Sequence, residues 1–300
     1  MKKILFLIYL FFIAVAINAQ DNSFLIYSVK GNVSVVENKI ESKAKIGKII
    51  TGNTSLKLAD GSVATLICNE AAMFTIKKAG SYTLSQFKDS CETHSSSVSA
   101  NYVKYVWNQM TAGHEGSPGS NRKAFMSTVG AVSRSVNNIW IDPRLDTINY
   151  SNGDFPLSWK SYADAKDFEF SLYTSPDGGT PLYKNTLSKM KISIPSFASR
   201  LKPGNTYYWT SAVKGETNDE IKVLNYVEKP VYEMVLNKLK AEGPAYESDA
   251  EQAYRTAFGL EDARYLSEAY QYYLRAATLK PDMPLYRSTL MSFKKDYEIK

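Results

Sequence analysis

The side chains that most often carry chemistry are scarce in this chain of 300 residues, which holds two histidines, His94 and His114, and two cysteines, Cys68 and Cys91. Both histidines stand among Ser, Gly and other polar residues, where an imidazole reads as a loop residue rather than a base or a ligand. Two imidazoles leave little room for a triad or a metal set, and two thiols alone cannot close a structural zinc site. No Gly-x-Ser-x-Gly, phosphate-cradling Gly-Lys or His-Glu-x-x-His motif occurs. Asp142, Asp146 and Asp154 are the densest acids in the middle of the chain and read as turn residues, with a carboxylate pair for hydrolysis as the alternative. The expectation is therefore a non-enzymatic protein, with no catalytic residue, no metal and no cofactor.

The other residues that invite a functional reading are the cysteines and the tyrosines. Cys68 ends the apolar run Thr65-Leu66-Ile67-Cys68 and Cys91 borders a polar stretch. In an oxidising compartment the pair can form a disulfide; otherwise Cys68 is a small buried hydrophobe and Cys91 a free thiol, and both readings stand. Ten of the 21 tyrosines lie between Tyr226 and Tyr297. Because a tyrosine ring is apolar and its hydroxyl polar, Tyr254, Tyr265, Tyr270, Tyr272 and Tyr273 are candidates for an interaction surface, against the alternative that they pack helices together.

The compartment is suggested by the first residues. Lys2 and Lys3 precede an apolar run from Ile4 to Ile17, and Asn18-Ala19 leads into Gln20, Asp21 and Asn22. This reads as a secretory signal peptide over residues 1–19, cut after Ala19. The run of fourteen residues is short of the ~20 that a spanning helix needs, so an integral membrane protein is not expected after cleavage. The net charge of +6 comes from scattered lysines rather than a stripe, which argues against nucleic acid. Export to the periplasm or cell surface is the expectation.

The elements that must position these residues fall into stretches. Over residues 22–92 apolar residues alternate between glycine turns: Phe24 and Ile26, Lys30-Gly31, Val33 and Val35, Gly47, Gly52, Leu56 and Leu58, and Asp60-Gly61. Asp-Gly between alternating runs predicts a hairpin, and the whole predicts a small β-roll. The series Gly31-x-Val33-x-Val35, Gly47, Gly52 and Leu56-x-Leu58-x-Asp60-Gly61-Ser62-x-x-x-Leu66 resembles the FecR domain. That resemblance implies a regulatory role on the outer side of the cytoplasmic membrane. Full-length FecR regulators add a cytoplasmic segment and a membrane span, whereas here the domain follows the predicted signal peptide.

Residues 93–138 read as a linker: a Ser-rich start, a short amphipathic helix from Val98 to Met110, a Gly/Ser/Pro-rich loop over 112–121, and a strand-like Val129-Gly130-Ala131-Val132. Residues 139–216 show short strands at about ten-residue spacing, with turns at Asn152-Gly153 and Pro176-Asp177-Gly178-Gly179, and predict a β-sandwich. Pro156-x-x-Trp159 and Leu201-x-Pro203-Gly204-x-x-Tyr207-x-Trp209 resemble a fibronectin type III or immunoglobulin-like domain, which implies a scaffold or binding module with Trp and Tyr in its core.

Residues 220–300 switch to helical spacing. Glu228 to Lys240 is one predicted helix; Ser248-x-x-Glu251 is a capping box for a second that Gly259 should stop. A third runs from Asp262 to Leu279, and Pro284 opens a fourth. Ala269-x-x-x-Tyr273-x-x-Ala276-x-x-Leu279-x-Pro281 resembles the second helix of a tetratricopeptide repeat, so the tail is either an appendage docked on the β half or a partner-holding repeat. The fold class expected is multidomain, a mostly β front half of β-roll plus β-sandwich followed by an α-helical tail. The function expected is an exported binding or scaffolding protein for a protein or glycan of the envelope. A FecR-like periplasmic regulator is the alternative, and an accessory to cell-wall or glycan processing is the third reading.

Overall fold

The computed structural model describes residues 22–51, 54–92, 99–111, 138–244 and 246–299. The signal segment, both histidines, the loop over 112–121 and the strand-like 129–132 lie outside them. The chain divides into two compact units, residues 1–111 and 112–300. It is β-rich in front and ends in a run of helices. Among the described residues no helix is long and apolar enough to cross a membrane.

The first unit contains β1 (Ser23–Lys30), β2 (Val33–Glu37), β3 (Ile40–Lys43), β4 (Ile49–Thr51), β5 (Ser55–Leu58), β6 (Val63–Cys68), β7 (Ala72–Ile76) and β8 (Gly80–Thr83). They form two antiparallel four-stranded sheets, ordered β4-β1-β6-β7 and β3-β2-β5-β8. Alternation makes the core: Phe24, Ile26, Leu66 and Cys68 from one sheet and Val33, Val35, Leu56 and Leu58 from the other are buried in one cluster. β6 is buried at all six positions, because the outer face of its sheet is covered too. The helix α2 (Ala100–Thr111) packs on β7 and buries Tyr102, Val103, Tyr105 and Val106. The hydroxyls of Tyr102 and Tyr27 lie 2.8 Å apart where β1 bulges between Ile26 and Ser28. The helix expected in a linker therefore belongs to the first unit.

The Asp60-Gly61 turn differs from expectation. It does not join a hairpin: β5 pairs with β2 and β8, and β6 pairs with β1 and β7, so the turn carries the chain between sheets. Lys30-Gly31 does the same between β1 and β2. The two corners lock together. Asn32 N donates to Ser62 Oγ at 2.9 Å, and a Cβ on Gly31 would stand 2.6 Å from that oxygen. With φ of +79° as well, Gly31 is required on both grounds. Two half-buried strands on either side of a tight turn satisfy their apolar faces equally well across a core as within one sheet, which is why the local signal misleads.

The second unit opens with β9 (Ile139–Trp140), a 3-10 turn at Pro143–Leu145 and β10 (Thr147–Tyr150), then β11 (Pro156–Ser158), β12 (Lys160–Ser161), β13 (Phe168–Tyr173), β14 (Tyr183–Leu187), β15 (Lys191–Ser193), β16 (Thr206–Val213) and β17 (Lys222–Tyr226). One sheet runs β10-β17-β16-β13-β14, with β10 parallel to β17 and the other pairs antiparallel; the strand pairs β11-β15 and β9-β12 complete the strands. β17 lies beyond residue 216, where the sandwich was expected to end. Phe170 is the hub of the core, with the rings of Phe197, Trp209 and Trp159 5.5, 5.9 and 6.4 Å away. Tyr207 accepts a hydrogen bond from Lys202 N at 2.7 Å through its hydroxyl, which pins the turn leading into β16.

Four helices follow: α3 (Lys229–Ala241), α4 (Asp249–Asp262), α5 (Leu266–Leu279) and α6 (Pro284–Asp296). Ser248 and Glu251 form the expected capping box. Gly259 does not stop α4. It sits inside the helix because a Cβ there would come 2.6 Å from Leu239 of α3, so glycine lets the two helices approach. The break falls instead at Arg264, with φ of +65°, which separates α4 from α5. Alanines on α4 and α5 (Ala253, Ala257, Ala269, Ala276) are buried where the helices meet.

Candidate binding site at the sandwich–helix seam

The cysteines are joined. Cys68 at the end of β6 and Cys91 in α1 (Lys88–Glu92) form a disulfide with their Cα atoms 5.5 Å apart. The acids near the sandwich hold structure. Asp142 caps the 3-10 turn by accepting from Arg144 N at 3.0 Å and also pairs with the Arg144 guanidinium. Asp146 and Glu220 hold the buried Lys222 ammonium. Asp154 accepts from the Ser193 hydroxyl. Among the described residues no group of three or more His, Cys, Asp or Glu side chains could hold a metal ion.

The tyrosine surface needs correction. Tyr254 and Tyr273 are fully buried and Tyr265 is 5% exposed, so these three rings are helix core. Tyr254 lies 4.7 Å from the Tyr286 ring and bonds the Thr289 hydroxyl at 2.8 Å; the Tyr273 hydroxyl donates to the buried Glu261 at 3.0 Å. The polar tips of Tyr254 and Tyr273 find partners inside, so nothing draws these two rings to the surface. Tyr270 and Tyr272 are half-buried and on the outside of α5. The structure therefore separates the five residues rather than gathering them into one face.

It gathers other residues, and they mark the seam where the helices dock on the sandwich. Asn149 of β10 donates its backbone N–H to Arg264 O at 3.0 Å and its side-chain amide to Ala263 O at 2.9 Å. Glu268 of α5 accepts the backbone N–H groups of Ser151 and Asn152 through one oxygen, at 2.7 and 2.9 Å. Its other oxygen, Oε2, is buried without a hydrogen bond. Burial pushes this carboxyl above its ordinary range, and the two backbone donors pull the other way. Ser267 Oγ donates to Asn152 O at 2.7 Å, beneath Gly153, where a Cβ would meet that hydroxyl at 2.5 Å. The Tyr150 hydroxyl, pushed up to about 12 mainly by burial, donates to Gly153 O. At the far end of the seam, the Phe155 and Tyr297 rings meet at a tilt with centroids 5.5 Å apart, and Arg144 lies 4.8 Å over the Tyr297 ring with Asp296 3.3 Å away. The tail is thus docked on the sandwich, as the first of its two readings has it.

No protein-family model and no curated protein matches this chain.

Two clefts open along the seam. One, of about 430 Å³, is lined by Asp154, Pro156, Lys189, Lys191 and Ser193 of the sandwich and by Tyr270, Gln271, Glu298 and Ile299 of the helical part. The other, of about 210 Å³, lies between Trp140, Arg144, Ser158 and Lys160 on one side and Lys295, Asp296 and Glu298 on the other. Their lining mixes aromatic rings, ammonium groups, carboxylates and hydroxyls, which suits a polar, partly solvated ligand. Of the expected interaction set, Tyr270 lines the larger of these two clefts. The other lining residues are not legible, because the two walls of each cleft come from segments more than seventy residues apart in the chain and no local pattern marks them.

Proposed function

We propose that this chain is an exported, non-enzymatic envelope protein that binds or scaffolds a protein or glycan partner. The observation that carries the reading is the fusion of sandwich and helices into one compact unit whose seam leaves two open, mixed-polarity clefts. A β-sandwich and a helical stack packed into one unit give a composite surface that neither has alone. Export is supported by the Lys2-Lys3 and apolar start together with the Cys68–Cys91 disulfide, a bond favoured in oxidising compartments. The resemblance to immunoglobulin-like modules is supported by the sheet order β10-β17-β16-β13-β14 and by the Tyr207 bond to the turn before its strand.

A FecR-like regulatory role in the periplasm is the second reading. In its favour, the residues that carry that resemblance have linked work in the fold: Gly31 and Ser62 clamp the two corners between the sheets.

Cell fractionation and affinity capture test the proposal. The chain should be recovered from the envelope or periplasm with its new N-terminus after Ala19, its thiols oxidised, and a protein or glycan co-purifying without being turned over. Recovery from the cytoplasm with an intact N-terminus, or capture no better than background, would overturn it.

A further inference from the structure

The two seam clefts are the ends of one groove. Pro156 and Ser158 are alternate residues of β11 and share a face; their cross-strand partners on β15 are Ser193 and Lys191. Pro156, Ser193 and Lys191 line the larger cleft and Ser158 the smaller, while the intervening Leu157 and Ile192 turn into the core. One outward sheet face therefore floors both clefts, and Glu298 borders both. Lys191 Nζ donates to Glu298 O at 2.6 Å, so floor and helical wall touch at the larger cleft.

The charges along the groove are unequal in their commitments. Asp142 and Asp296 both face the Arg144 guanidinium and Asp154 holds the Ser193 hydroxyl, while the exposed Glu298 carboxylate has no ion pair among the described residues. Among the described residues, no ion pair engages Lys160, Lys189 or Lys295, and all three are exposed at the groove. Lys160 stands 5.4 Å over the ring of Trp140, which is half-buried at one end; Tyr270 is half-buried at the other.

We infer that this groove binds an acidic glycan, a chain of sugar units bearing carboxylates. The inference rests on the envelope-binding reading and gives it a ligand class. The half-buried Tyr270 ring, and the Trp140 ring with Lys160 beside it, can meet sugar rings, and the ammonium groups of Lys160, Lys189 and Lys295 match carboxylates spaced along a chain. Gln271 supplies an amide, and Ser193, whose proton is held by Asp154, an acceptor oxygen, for sugar hydroxyls. An acidic peptide fits less well. Peptides take most of their affinity from an apolar anchor in a dry pocket or from pairing with a strand edge, and here the floor is the face of β11 and β15.

The test is calorimetric titration of the full mature chain with an octamer of galacturonic acid, a neutral glucose octamer and octaglutamate. The uronic-acid octamer should bind, and the double variant Lys160→Glu/Lys189→Glu should weaken it about tenfold or more, as should high salt. The control Lys45→Glu/Lys78→Glu, on exposed lysines of the first unit, should leave the affinity unchanged. Thermal melting of each variant checks that these exposed substitutions leave the fold intact. Equal affinity for the neutral octamer or for octaglutamate overturns the inference, as does binding of none of the three. Envelope capture separates the two levels. If Lys160→Glu/Lys189→Glu captures the wild-type partner undiminished, the groove assignment fails and the binding reading stands; if the wild type captures nothing, the reading itself fails.

Discussion

Replacing Cys91 with serine removes the covalent tie between α1 and β6 while leaving Cys68, fully buried at the end of its strand, as a small apolar side chain. The bridge spans a sequence separation of 23, so its loop contains β7, β8 and the 3-10 turn at Leu84–Phe87. Chain entropy over a loop of that length gives a loss of roughly 3 kcal/mol in the stability of the first unit, which corresponds to about two orders of magnitude in the population of its unfolded form. Hydrogen exchange read by peptide mass spectrometry resolves the units separately. Globally protected amides of β1 and β6 should exchange about a hundredfold faster in Cys91→Ser, whereas amides of β13 and β16 in the second unit should keep the wild-type rate. Dithiothreitol should bring the wild type to the same rates. Unchanged protection in β1 and β6, or a loss that appears in the second unit, refutes the reasoning, because the bridge would then not be constraining the chain segment that it encloses.

Two further perturbations probe the seam. Glu268→Gln keeps an acceptor for the Ser151 and Asn152 amides but removes a buried charge. Because burial raises this carboxyl, the native state binds the proton more tightly than the unfolded chain; the contribution is complete below the unfolded pKa and is lost as pH rises through the raised folded value. The unfolding free energy of the second unit should therefore fall with pH in that window less steeply in the variant than in the wild type, as measured by urea titration at several pH values. Glu247, also raised by burial beside Arg255, retains part of the slope in both, and identical slopes would refute the role of Glu268. Gly153→Ala places a Cβ against Ser267 Oγ on a backbone with φ of +97° and should cost about 1–3 kcal/mol in thermal melting; adding Ser267→Ala should recover only part, since it relieves the clash and not the backbone strain.

Several features of the helices and strands could be read from local order. The capping box at Ser248 and Glu251, Pro284 at the start of α6, and the alternation of Phe168, Phe170 and Leu172 each depend on residues within a turn or a strand of one another, and each has the structure expected of it. Features that depend on a distant partner are not legible in local order. Asp60-Gly61 looks the same whether the next strand pairs with the last or crosses to a second sheet. Gly259 looks like a helix end unless Leu239 is known to press on it. Tyr254 and Tyr273 look like a surface until Thr289 and Glu261 supply their hydroxyls with partners inside.

The sequence by itself determined the order of the architecture, β first and helices last, because apolar periodicity is a property of neighbouring residues. It also limited the chemistry, since two histidines and two cysteines are a matter of composition. Whether those cysteines meet, and where a ligand could sit, were decided by tertiary structure alone. Cys68 and Cys91 are brought within 5.5 Å by the fold of the first unit. The two clefts lie where the helices meet the sandwich, a seam held in part by the bonds of Glu268 and Ser267 to the Ser151–Gly153 turn, with Lys295 opposite Lys160 in one and Tyr270 opposite Lys191 in the other. Such a wall-to-wall arrangement is a product of packing between elements far apart in the chain, and no pattern of neighbouring residues encodes it.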